Sequence, residues 1–97
     1  MMSISEVKIR LADEPTGGLI GWACCLLNGN LLLDSIAVRR SQEGEIVLAF
    51  PRSKSKRGLE YPYYRPITQA AYEQIREAIV SRLLLLEKEL PRVGMGG

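Results

Sequence analysis

Ninety-seven residues, 46% hydrophobic and 25% charged, make one domain with a modest core and exclude intrinsic disorder for most of the chain. With no histidine and only two cysteines, adjacent at 24 and 25, a zinc site or a Cys/His nucleophile pair cannot be assembled within one chain. The net charge of +2 is unevenly spread: residues 51–65 hold five cations against Glu60, a local +4, and the remaining eight cations and ten anions leave the rest at −2.

Residues 5–11 alternate, with Val7, Ile9 and Leu11 on one side and Glu6, Lys8 and Arg10 on the other, the pattern of a half-buried strand. Asp13-Glu14-Pro15-Thr16-Gly17-Gly18 ends it with turn residues. Residues 19–27 and 30–38 are apolar runs joined by Asn28-Gly29. Asn-Gly predicts a type I′ hairpin, because that turn needs positive φ at both central positions. Ser41-Gln42-Glu43-Gly44 supplies another turn, residues 45–50 a short strand that Pro51 stops, and residues 60–64 a brief fifth strand. Thr68 is an N-cap for a helix running to about residue 90, before Pro91. Its apolar stripe is Ala71, Tyr72, Ile75, Ile79, Leu83 and Leu86, opposite Glu73, Arg76, Glu77 and Lys88. The fold class is therefore α+β: an antiparallel four- to five-stranded sheet, a meander with an Asn-Gly hairpin, then a long C-terminal helix. The single domain covers residues 1–97 and is expected to be ordered over about 4–90, with a fraying tail at 91–97.

Residues 19–27 are apolar on both faces: Leu19, Ala23, Cys25 and Leu27 on one, Ile20, Trp22, Cys24 and Leu26 on the other. One helix covers only one face of a sheet. Either a second copy covers the other in a two-fold homodimer, or the sheet coils tightly enough to wrap it. The dimer would use Trp22, Cys24 and Leu26, with Leu84 from a leucine run wider than one core-facing stripe. Neighbouring cysteines in a strand point to opposite faces, so Cys24 and Cys25 are not expected to form a disulfide.

No apolar run approaches the roughly 20 residues of a membrane helix, and the N-terminus lacks a signal-peptide layout, so a cytoplasmic protein without membrane contact is expected. The carboxylates are scattered and no G-x-G-x-x-G or G-K-[ST] occurs. No enzymatic activity, cofactor, metal or small-molecule substrate is expected. The basic segment has other chemistry. Arg52, Lys54, Lys56 and Arg57, with Arg65 at the exit, can neutralise phosphates, and Ser53 and Ser55 can hydrogen-bond to them. Tyr61, Tyr63 and Tyr64 either offer faces for base stacking or pack in the core. Cationic loops are also often merely solvated, so the residues alone leave nucleic-acid binding open.

From about residue 5 to residue 85 the chain resembles the SpoVG proteins, bacterial septation and sporulation regulators. The residues carrying the resemblance are Glu6-Val7-Lys8-Ile9-Arg10, Leu27-Asn28-Gly29-Asn30-Leu31, Asp34-Ser35-Ile36-Ala37-Val38, Ala49-Phe50-Pro51, Arg65-Pro66-Ile67-Thr68, and Ile75, Ala78 and Ile79 in the helix. The resemblance implies a homodimer that binds DNA, with RNA as a further ligand, through the basic segment after Pro51. The family usually has a Ser-Lys-Arg cluster directly after that proline; here Arg52-Ser53-Lys54-Ser55-Lys56-Arg57 spreads the charge out. Arg52 and Lys54 are the positions carried over, and Lys56, Arg57 and Ser53 rest on local chemistry. Arg65 stands where the family commonly has histidine, and residues 61–64 are more aromatic than usual. A protein-interaction module of the cell-division machinery, docking an acidic partner through the same loop, is the alternative expectation.

Overall fold

The computed structural model describes residues 2–13 and 17–89. The elements are β1 (Ile4–Leu11), β2 (Leu19–Leu27), β3 (Leu31–Arg40), β4 (Ile46–Ala49), β5 (Arg52–Lys54), β6 (Glu60–Pro62) and α1 (Gln69–Glu89). β1 to β4 form an antiparallel sheet in sequence order, followed by the single helix, which is the α+β architecture expected. The segment around Glu60 does not extend that sheet. It pairs instead with residues 52–54 as a separate two-stranded ribbon. Residues 14–16 of the first turn and the tail expected to fray lie outside the described residues.

Local sequence fixes the hairpins. Asn28 and Gly29 have φ of 53° and 68°, and the Asn30 N–H donates to the Leu27 carbonyl at 3.0 Å, the turn that Asn-Gly predicts. The β3–β4 and β5–β6 hairpins share another turn. In Ser41-Gln42-Glu43-Gly44-Glu45, Gly44 N–H donates to the Ser41 carbonyl (2.9 Å), Ser41 N–H to the Glu45 carbonyl (2.8 Å) and Glu45 N–H to Ser41 Oγ (3.2 Å). Ser55-Lys56-Arg57-Gly58-Leu59 repeats all three bonds, at 2.9, 2.7 and 3.2 Å. Gly44 and Gly58 sit at φ of 89° and 82°, where a side chain is strained. Serine and glycine make each turn, and the two side chains between them are exposed.

Three register slips bend the sheet. β1 gains a residue around Glu6 (φ 47°), β3 gains one around Ser35 (φ 60°), and β2 gains one between its Leu19↔Arg39 and Gly21↔Val38 pairs. Each slip inverts the in–out alternation beyond it. Ile4 and Val7 therefore both pack on the core although they stand three positions apart, and Ile20 joins them instead of sharing a face with Trp22. Leu11, expected inside, is exposed.

The core is Ala23, Cys25, Leu33, Ile36, Val38, Ile46 and Leu48 from the sheet against Ile75, Ile79 and Leu83 from α1. Burying each larger aliphatic side chain stabilises by roughly 1.5–3 kcal/mol. The helix begins where Thr68 Oγ1 accepts the Ala71 N–H at 3.0 Å, the expected cap. Helix side chains also close the free edge of β4: the Tyr72 hydroxyl accepts the Leu48 N–H (3.0 Å), and Arg76 Nε donates to the Ile46 carbonyl (2.7 Å). Satisfied in this way, the edge offers a neighbouring chain little to pair with.

Candidate functional site

The ribbon is where the basic segment becomes a shape. Its register pairs Arg52 with Pro62, Ser53 with Tyr61 and Lys54 with Glu60. Alternation along a strand then gives the ribbon two unlike faces. Arg52, Lys54, Glu60 and Pro62 share one face, which borders a cleft of about 480 Å³ floored by Leu48, Ala49 and Phe50 and reached from the far side by Arg65. Lys56 and Arg57 occupy the turn at the tip. Arg52 and Arg65, distant in sequence, thus meet at one cleft, whereas Ser53 lies on the opposite face beside Tyr61 and is half-buried. All five cations are exposed, and none of them makes an ion pair among the described residues, where the ion pair found is Arg76 to Glu73 at 3.7 Å. Their charge is available to a partner.

The three tyrosines separate. Tyr64 is half-buried, its ring meeting Phe50 edge-on at 5.6 Å, and its hydroxyl donates to the Asp34 carbonyl at 2.6 Å. That bond ties the ribbon's return to the β3 bulge, and Tyr63 N–H to the Pro51 carbonyl (3.0 Å) closes its base. Burial, followed by the charges that Cys25 and Asp34 can carry nearby, pushes the Tyr64 hydroxyl up to about 12. Because the folded value exceeds the ordinary 10.0, the contribution is complete below pH 10 and is lost as pH rises toward 12. In an alkaline unfolding titration, Tyr64→Phe should be less stable than the parent at neutral pH and should lose stability less steeply between pH 10 and 12. Parallel curves would remove Tyr64 from that transition. Tyr61 and Tyr63, by contrast, are 54% and 70% exposed.

The residues expected at a dimer contact do not form one patch. Trp22, Cys24 and Leu26 project from the sheet face opposite the core, all half-buried, and the Arg10 guanidinium lies over the Trp22 ring at 5.1 Å. Leu32, cross-strand from Leu26, and Val47 are exposed on the same face. Leu84, 53% exposed, belongs to the helix, which covers the other face, so no single flat contact joins it to Trp22. The cysteines diverge as expected, Cys25 into the core and Cys24 to the open face, and both are free thiols. Burial above all, with the neighbouring Cys24 second, pushes the Cys25 thiol up.

What sequence reasoning missed is the pairing of Arg10 with Trp22 and the division of the tyrosines. Both follow from strand register, and the twice-repeated Ser-x-x-Gly was the available signal for the second. Among the described residues no group of His, Cys, Asp and Glu is placed to hold a metal ion, and no helix is long and apolar enough to cross a membrane. No protein-family model matches the chain, and no curated protein matches it.

Proposed function

We propose that this protein is a SpoVG-like bacterial regulator, cytoplasmic and without catalytic activity, that acts as a homodimer and binds DNA, and RNA as well, through the β5–β6 ribbon. The observation that carries the reading is a projecting ribbon whose exposed cations, Arg52, Lys54, Lys56, Arg57 and Arg65, have no ion-pair partner among the described residues. Lysine and arginine on such a ribbon displace condensed counterions from phosphates, a contribution that is large and independent of base sequence. A two-stranded ribbon is also narrow enough for the major groove, where base edges are legible. The dimer is supported by the exposed Leu32 beside Leu26, with Cys24 and Trp22 following along β2, an apolar strip flanked by Lys8 and Arg10 on the sheet face that the helix leaves uncovered.

The test is a mobility shift of the purified chain with mixed-sequence DNA and RNA at moderate salt, with sedimentation in the same buffer to count copies in the shifted species. Shifts at micromolar protein with two copies per complex are expected. If neither nucleic acid shifts at that concentration, the ribbon's charge serves an acidic protein partner and the nucleic-acid reading fails.

A further inference from the structure

The cationic face and the tip account for charge, but the ribbon's other face has no role in that account. There the ladder pairs Pro51 with Tyr63, Ser53 with Tyr61 and Ser55 with Leu59, so Leu59, Tyr61 and Tyr63 follow one another along one face. They are 54%, 54% and 70% exposed. A row of one leucine and two tyrosines facing water is costly unless something covers it. The row leads directly to Lys56 and Arg57 at the turn.

We propose that Tyr61 and Tyr63 form a stacking platform for unpaired bases of a single-stranded nucleic acid whose phosphates are held by Lys56 and Arg57. Alternate residues on one strand face lie roughly 6.8 Å apart, twice the rise per residue. Stacked bases repeat at about 3.4 Å, so one base fits between the two rings. Duplex bases are already stacked on each other and cannot enter, which makes the platform selective for strand state. Charge complementarity names the occupant: a polyanion with flat bases satisfies both the basic tip and the aromatic row. An apolar protein helix would cover the tyrosines and leave the two tip cations unsatisfied. Tyr64 is excluded because its hydroxyl is committed to Asp34 and its ring to Phe50.

The inference rests on the nucleic-acid reading, and one experiment separates their failures. Anisotropy titrations of the full chain would use a fluorescent single strand of about 12 nucleotides, as DNA and as RNA, and the matching DNA duplex. Tyr61→Ala and Tyr63→Ala should each weaken single-strand binding by about 5- to 100-fold, leaving duplex affinity and the salt slope unchanged, and Tyr→Phe at either site should retain it. A strand carrying 5-iodouracil should photo-cross-link to the peptide containing both tyrosines. Equal loss on single strand and duplex, no loss on either, or a change in oligomeric state without loss of binding overturns the platform while the wider reading stands. A parent chain that binds no nucleic acid overturns both.

Discussion

Gly21→Ala is expected to fold poorly or not at all. Gly21 faces Leu11 across the β1–β2 ladder, and a methyl group there would overlap the Arg10 carbonyl oxygen and come within 2.9 Å of the Leu11 Cα. The obstruction is backbone on both counts, so no rotamer change relieves it. β1 would have to move off β2, at a cost of about 3 kcal/mol or more. A domain of this size holds only roughly 5–15 kcal/mol in total. The informative control is Gly44→Ala, which meets nothing within 4 Å but sits at φ +89°, and should cost only about 1 kcal/mol. Urea denaturation of both variants checks the ranking, and equal midpoints would mean that β1 is not held as tightly as the pairing implies.

The second large effect concerns affinity rather than stability. If Arg52, Lys54, Lys56 and Arg57 meet duplex phosphates, log affinity should fall against log salt with a slope of roughly −3 to −4 per engaged subunit. Raising salt from about 50 to 200 mM would then weaken binding on the order of 100-fold. Replacing all four by alanine should flatten the slope and leave thermal unfolding nearly unchanged, because all four side chains are exposed and unpaired among the described residues. An unchanged slope in the fourfold variant would take the ribbon out of the binding mechanism.

Much of the fold was legible because its signals are local. Asn28-Gly29 dictates its own φ values, Thr68 caps the helix within one turn, and Ile75, Ile79 and Leu83 recur at the helical period. The bulges were not legible. An extra residue at Glu6 or Ser35 is a property of two strands in register, and it reverses which side chains face inward, as Ile4 illustrates. The ribbon itself was not legible: Arg52–Lys54 reads as a loop and residues 60–64 as a fifth strand of the main sheet, because strands this short, rich in charge and proline, present no apolar alternation that would pair them. Composition identified the cations of the candidate site; only pairing separates Arg52 and Lys54 from Ser53, and Tyr64 from Tyr61 and Tyr63.

The two matching Ser-x-x-Gly turns have a consequence for how such a protein changes over generations. One mould carries Gln42-Glu43 and the other Lys56-Arg57, and in both the serine and glycine do the folding. Mutation at the middle positions therefore alters the sign and strength of a tip without touching the selection that keeps the chain folded. Descendants can change the charge of either tip through these two pairs of codons while each turn keeps its serine and glycine.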